Sequence, residues 1–311
     1  MLPPASRRVP GGAGSWSAFG FCCLIWGSTF LFIRVGNDTL APVWAAALRL
    51  IVSAAILAAI AVALRRPWPR GPELEAALWF GAVDFGIGLP LLNWGEREVP
   101  SSTAAVLFAT IPLTTVVFAR AFGLERLRLR QVVAALGGLA GVVVLSSGPR
   151  ADGVSMGSLL AVGLSAVMAA LAGVLLKRAP DSDPFAMNAI AHAVGIPFCL
   201  AASALSRERP TLPAGSGAVS ILYLAVVGSV GAFVTFAWLI RRWPISRANY
   251  VTVIVPVIAM LLGWSTRGEP LGPLTLFGAG VVLASVTYGL AGNRSAASRG
   301  EPATGRASAD R

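Results

Sequence analysis

Long apolar stretches alternate with short polar breaks along almost the whole chain. Ten stretches are each long enough to cross a bilayer as a helix, which takes about 20 mostly apolar residues. They lie at residues 16–35, 42–64, 75–95, 100–121, 129–147, 156–177, 184–205, 217–240, 245–265 and 272–292. The runs are continuous, whereas strands of a membrane barrel alternate in polarity. The pattern therefore predicts an all-α polytopic membrane protein with ten transmembrane helices, and the short breaks make consecutive helices antiparallel neighbours.

Composition and charge agree with a membrane protein. The chain is 56% hydrophobic and 13% charged, whereas soluble domains carry about a quarter charged residues. The net charge of +11 is unevenly distributed across the predicted membrane. Fourteen Lys and Arg flank helix ends on the side of the membrane that holds the N-terminus, and six flank helix ends on the other side. Because basic residues collect on the cytoplasmic side, both termini are predicted to be cytoplasmic and the protein to be multi-pass in the plasma membrane. Nothing in the basic residues indicates a nucleic-acid partner.

The chain ends and the cysteines show no motif for metal binding, disulfide formation or catalysis. Residues 1–15 are read as a cytoplasmic flank before a retained first helix, and residues 295–311 as a disordered cytoplasmic tail. Cys22, Cys23 and Cys199 fall inside predicted helices and have no metal-ligand or disulfide spacing. We predict no metal and no cofactor.

A repeat emerges when the chain is shifted against itself by 144 residues. This shift pairs Trp94 with Trp238, Pro100 with Pro244, Pro112 with Pro256 and Glu125 with Glu269. We infer two five-helix units, at residues 16–148 and 149–294. Five is odd, so the second unit enters the membrane upside down, and the basic residues of matched loops change sides accordingly. Such a 5+5 inverted-topology repeat is typical of secondary transporters, with a substrate site near the midplane between the units.

Several motifs resemble the EamA-type transporters of the drug/metabolite transporter superfamily. They are "LIWGSTFLFIRVG", "AALRL", "PSSTAAVLFATIP" from Pro100 to Pro112, "GLERLRLRQ" and "PISRANYVTVIVPV…GEPL". The resemblance covers about residues 16–292. It implies ten helices in two inverted repeats, cytoplasmic termini and transport of small metabolites, often export of amino acids. Asp84 is not part of the family pattern, so the resemblance implies no role for it.

Polar groups inside the predicted helices are the first candidates for substrate contact, since they are costly in a membrane. They are Arg49, Asp84, Asn188 and His192. Arg49 and Asp84 lie at similar predicted depths, so they either pair across helices two and three or each face a water-filled vestibule. Asp84 is also a candidate for a coupling proton. His192 is more often a packed, hydrogen-bonded residue than a proton relay in such a position.

Further candidates come from aromatic, small and kink-forming residues. Trp26, Ser28, Asn93 and Tyr250 complete the predicted substrate-binding set, and Pro112 and Pro256 are predicted kinks or hinges within helices. "GGLAG", with Gly137 and Gly141, permits close helix packing, within one chain or in a homodimer.

The sequence thus predicts a secondary active transporter, an exporter of amino acids or related amphiphilic metabolites that works by alternating access. Enzyme motifs such as HExxH or GxSxG are absent from the sequence, and we predict no enzymatic activity. A membrane channel or a multidrug efflux carrier of broad specificity are the alternatives.

Overall fold

Helices make up the described part of the chain. The computed structural model describes residues 13–123, 129–147, 154–177, 182–232, 235–236, 238–239 and 251–291. Within these ranges there is no strand, and the helices follow in the order α1 (Ala13–Asn37), α2 (Pro42–Ala63), α3 (Pro72–Gly95), α4 (Ser101–Ala121), α5 (Leu129–Ser147), α6 (Met156–Lys177), α7 (Pro184–Leu205), α8 (Gly215–Gly231), α9 (Val251–Arg267) and α10 (Pro273–Ala291). The prediction of an all-helical chain is confirmed for these residues.

The helices have the length and surface of membrane spans. Six of those described, α1 to α4, α6 and α7, are long and apolar enough to cross a bilayer, and α5, α8, α9 and α10 are shorter apolar helices. Large apolar side chains are exposed around the bundle, among them Val62, Leu136, Leu160, Leu222, Leu261 and Phe277. A surface this apolar suits hydrocarbon rather than water.

Both third helices of the predicted repeats contain a π-helical segment. It covers Gly81–Gly88 in α3 and Tyr223–Gly231 in α8. At the 144-residue shift the first segment corresponds to residues 225–232, so the two segments coincide. π-Turns are rare and often accompany functional sites.

Helix α4 is divided by the predicted kink. Its two α-helical parts are Ser101–Phe108 and Ile111–Ala121, and Pro112 lies in the first turn of the second part. A proline cannot donate and its ring clashes with the carbonyl four residues earlier, so the helix breaks just before it. Pro256 lies inside the continuous helix α9. A hinge motion at either proline stays a prediction.

Three glutamates cap helix N-termini at one end of the bundle, which we call the Glu269 end. Glu208, after α7, accepts hydrogen bonds from the backbone N–H groups of Val43 and Trp44 at the start of α2 (3.1 and 2.8 Å). Glu98, after α3, accepts from the N–H and hydroxyl of Ser155 and from the hydroxyl of Ser158 at the start of α6. These three donors hold the pKa of Glu98 at about 2, well below its ordinary value.

Glu269 itself, between α9 and α10, caps α4. Its two carboxylate oxygens accept from the N–H and hydroxyl groups of both Ser101 and Ser102, at 2.7–3.1 Å. A Cβ added to Gly263 would collide with this carboxylate. Glu98 and Glu269 therefore each join a helix of one predicted repeat to a connection of the other.

Helices α5 and α10 approach closely through the "GGLAG" stretch. A Cβ on Gly141 would lie 2.9 Å from both the carbonyl oxygen of Gly278 and the backbone nitrogen of Val282, and a Cβ on Gly137 would lie 2.6 Å from the hydroxyl of Ser285. Backbone atoms cannot give way as a flexible side chain does. The small residues thus serve packing within one chain here. The three cysteines are buried free thiols.

We expect Gly141→Ala to lower the thermal unfolding temperature in detergent, because overpacking of this kind costs about 1–3 kcal/mol. Gly280→Ala in α10 is the matched control, since its Cβ would meet nothing within 4 Å. The control should leave the unfolding temperature unchanged or raise it, as alanine favours a helix over glycine. Equal effects of both substitutions would contradict the packing argument.

Candidate functional site

A cavity of about 300 Å³ lies inside the bundle, between helices of both predicted repeats. Helices α1 to α4 contribute from the first repeat, and α6, α8 and α9 from the second. Aromatic and aliphatic side chains form most of the wall, and the aromatic ones are Trp26, Phe30, Phe85 and Phe108. The polar lining groups are Thr29, Arg49, Asp84 and Ser165. A mostly apolar cavity with a few convergent polar groups is the usual form of a small-molecule site.

Arg49 brings a buried positive charge to this wall from α2. Its side chain is 9% exposed, Nη2 donates to the hydroxyl of Ser229 at 3.4 Å, and Nε has no hydrogen-bond partner among the described residues. A buried guanidinium with an unused N–H is costly unless a ligand or water accepts from it. The arrangement favours an anionic group in the cavity.

Asp84 brings a carboxylate to the same cavity from the π-helical segment of α3. The structure describes both charged residues and gives no direct ion pair between Arg49 and Asp84, so each presents its charge to the shared space. Their predicted pairing stays a prediction.

The π-segment of α8 lines the cavity as well. Its Gly228 is the repeat equivalent of Asp84 at the 144-residue shift, and both residues are part of the cavity wall. A Cβ on Gly228 would lie at ordinary contact distances, 3.7 Å from Thr29 Oγ1 and 3.9 Å from Arg49 Nη2. At this equivalent position the first repeat presents the carboxylate of Asp84 to the cavity, and the second presents the backbone of Gly228, which has no side chain.

Of the remaining predicted site residues, Trp26 lines the cavity and its ring lies 5.0 Å from that of Phe236. Ser28 is turned away and shares a 2.6 Å hydrogen bond with the hydroxyl of Tyr223. Asn93 donates to the carbonyl of Leu89 in its own helix. Tyr250 lies outside the described residues.

His192 and Asn188 lie in the packing between α7 and α2. The Nδ1 atom of His192 is 2.9 Å from the hydroxyl of Ser53, and its ring lies edge-on to Phe85 with ring centroids 4.3 Å apart. Asn188 donates to the carbonyl of Pro184. Neither lines the cavity, and His192 supports Phe85, which does.

Several lining residues were missing from the prediction, namely Thr29, Phe30, Phe85, Phe108, Ser165 and Gly228. Thr29 and Phe30 follow Trp26 by three and four residues, so they share its helix face. That spacing was the available signal. Gly228 is the repeat equivalent of the predicted residue Asp84, which was a signal for it. Phe85 carried none, because π-turns rotate the face of α3 relative to an ordinary helix.

Comparison with known proteins now identifies the family. The family model described as "EamA-like transporter family" matches the chain twice, at residues 15–147 and 156–288. The chain belongs to the EamA-like transporter family. It is 32% identical to the "Uncharacterized inner membrane transporter YedA" of Escherichia coli (strain K12) over 266 residues, 85% of this chain and 86% of the relative. The family model thus matches each half of the chain once.

Two further similarities concern a named exporter and a solved structure. A protein of Streptantibioticus cattleyicolor named "Probable terminal-alkyne amino-acid exporter" is 29% identical over 265 residues, 84% of this chain and 88% of that protein. A solved crystal structure is similar with a TM-score of 0.62 at 21% identity, covering 92% of this chain and 99% of that one. The last similarity concerns the fold alone. As an EamA-like protein, the chain is a multi-pass membrane transporter.

We expect Gly228→Val in this EamA-like transporter to weaken substrate binding about tenfold or more, because the added methyl groups occupy the cavity beside Arg49. Ordinary contacts around a Cβ at this position mean that the unfolding temperature should change little. Gly231→Val is the control. It introduces the same β-branched side chain into the same helix, three residues further on and outside the cavity lining. Equal weakening by both variants would remove the role of Gly228 in the cavity.

Proposed function

We propose that this protein is a secondary active transporter that exports amino acids or related small amphiphilic zwitterions. The observation that carries the proposal is the cavity in which a guanidinium with an unused N–H, a carboxylate and four aromatic rings meet. A substrate carboxylate fits Arg49 through charge-assisted hydrogen bonds, and a substrate ammonium group fits Asp84. The aromatic wall suits an apolar side chain.

The size of the cavity supports a substrate of this class. About 300 Å³ is at the lower limit of ligand pockets, which span about 300–1,000 Å³. An amino acid fills such a space, whereas large drugs need a wider one. The relative named as an amino-acid exporter points to the same substrate class.

The mechanism we propose is alternating access between two inverted repeats of five spans each, with both termini in the cytoplasm. The cavity lies at the seam of the repeats, as this mechanism requires. Under the predicted topology the Glu269 end faces outward. The bonds from Glu98 and Glu269 across the repeats then keep that end closed, and export requires them to break and re-form in each cycle.

We expect Arg49→Gln and Asp84→Asn each to raise the substrate concentration for half-maximal counterflow about ten- to a hundredfold in proteoliposomes. Loss of one charged hydrogen-bond partner costs about 1.5–3 kcal/mol, and 1.4 kcal/mol is tenfold. Arg70→Gln, a change at an exposed arginine outside the bundle, is the matched control. Labelled aromatic and aliphatic amino acids are the probes.

The same assay separates this proposal from its alternatives. A carrier shows saturable counterflow, whereas a channel shows large flux that does not saturate. Competition by bulky organic cations at the potency of amino acids would indicate a multidrug efflux carrier. If the Arg49→Asp, Asp84→Arg double variant recovers counterflow that both single changes abolish, the two residues pair during the cycle.

A further inference from the structure

Glu96 is a fully buried carboxyl group for which the transport mechanism above has no use. It is the first residue after α3 and is 0% exposed. Neither of its carboxyl oxygens has a hydrogen-bond partner among the described residues. An ionised carboxylate without donors in apolar surroundings is strongly disfavoured, and the group binds a proton instead.

Charged groups around Glu96 come from three other elements. Arg34 of α1 uses Nη1 on the backbone carbonyls of Glu96 and Val99, at 2.8 and 3.2 Å, rather than on the carboxyl group. Arg49 of α2 is a second, more distant cation. Glu269, between α9 and α10, is a nearby carboxyl group whose two oxygens accept four hydrogen bonds.

The balance of these effects favours the protonated form. Burial raises the pKa of Glu96 well above its ordinary value, and the opposing attraction of Arg34 is offset in part by the repulsion of Glu269. The contrast with Glu269 is instructive. Both carboxyls are buried at the same end, but one has four donors and the other has none.

Glu96 also lies directly beyond the cavity. Leu89 and Leu92, in the α-helical part of α3, line the cavity and are three residues apart, so they share one helix face. Glu96 continues this spacing by four residues and is the next position on that face. It stands between the cavity and the Glu269 end, where water must enter when that end opens.

We propose that Glu96 is a proton-binding site that closes the Glu269 end: it holds a proton while this end is closed and releases the proton to water when it opens. The inference rests on the proposed alternating access. The released proton passes from the carboxyl oxygen to water, leaving a solvated carboxylate. Because the closed state binds this proton more tightly, low pH at the Glu269 end stabilises the closed state and high pH stabilises the open state.

The test measures opening directly and needs no substrate. Ala105 lines the cavity and follows the capped start of α4, so Ala105→Cys places a small reporter thiol in the site. A membrane-impermeant maleimide is applied to right-side-out vesicles between about pH 5 and about pH 9, and labelling rates are compared in Ala105→Cys and Ala105→Cys/Glu96→Gln. Their ratio cancels the pH dependence of the thiol itself. Glutamine keeps the shape of the protonated acid and stays neutral.

We expect this ratio to rise about tenfold or more with pH, since one pKa unit of differential proton binding corresponds to a factor of ten. Glu75→Gln in place of Glu96→Gln, at an exposed position near the opposite end of α3, should leave the reporter's pH profile unchanged. A ratio that is constant over the whole range would overturn the proposal, as would a reporter that stays unlabelled at every pH.

If the Glu96→Gln variant does not fold, a second measurement tests the proposal without it. The Ala105→Cys protein is then compared with its own labelling after solubilisation in denaturant at each pH, and an unchanged ratio overturns the proposal. Failure of the transporter hypothesis looks different, because counterflow of amino acids would be absent at every pH while the labelling still responded to Glu96.

Discussion

The first turn of a helix leaves backbone N–H groups without partners, and a bundle in a membrane offers little water to satisfy them. Here α2, α4 and α6 start at the same end, and a glutamate from a distant connection accepts from each of them. A carboxylate suits this position because the helix dipole is positive there. These bonds fix the N-termini and also join the two repeats through Glu98 and Glu269. The arrangement of the remaining helices around the cavity depends on them.

The buried polar groups differ in whether all of their atoms have hydrogen-bond partners. Most buried polar groups in proteins are hydrogen-bonded, and Glu269, Ser101 and Ser102 follow this rule. Among the described residues, Arg49, Glu96, Asn37, Asn188 and His192 each leave at least one buried side-chain atom without a partner. Of these, Arg49 lies at the cavity and Glu96 directly beyond it. An unused N–H suits an anionic ligand, and an unused carboxyl suits a proton. The unpaired atoms of Arg49 and Glu96 therefore lie where a transporter exchanges its ligands with water, whereas those of Asn188 and His192 lie in the packing between helices.

Apolar runs were sufficient to predict that the described part of the chain is helical and where its six membrane-length helices lie, because membrane spans are set by length and polarity. Arg49, Asp84 and Trp26 were chosen from the sequence as candidate site residues, and all three line the cavity. Charged groups are costly inside a membrane span, so they are seldom there without a role. Ser28 and His192 satisfied the same criterion but face neighbouring helices, since sequence gives no rotation of a helix about its axis. The π-segments were not predicted, because they depend on packing between helices rather than on local preference.

Both repeats contribute to the cavity, but their contributions differ. The π-segments recur at equivalent positions, yet Asp84 in one repeat corresponds to Gly228 in the other. Arg49 and Trp26 likewise correspond to Ala193 and Ala170. A symmetric cavity would present the same group twice and suit a ligand with two like ends. The first repeat instead supplies both charges and the indole, so the two ends of a ligand meet different chemistry. The zwitterion with one apolar side chain that we propose as substrate has a matching asymmetry.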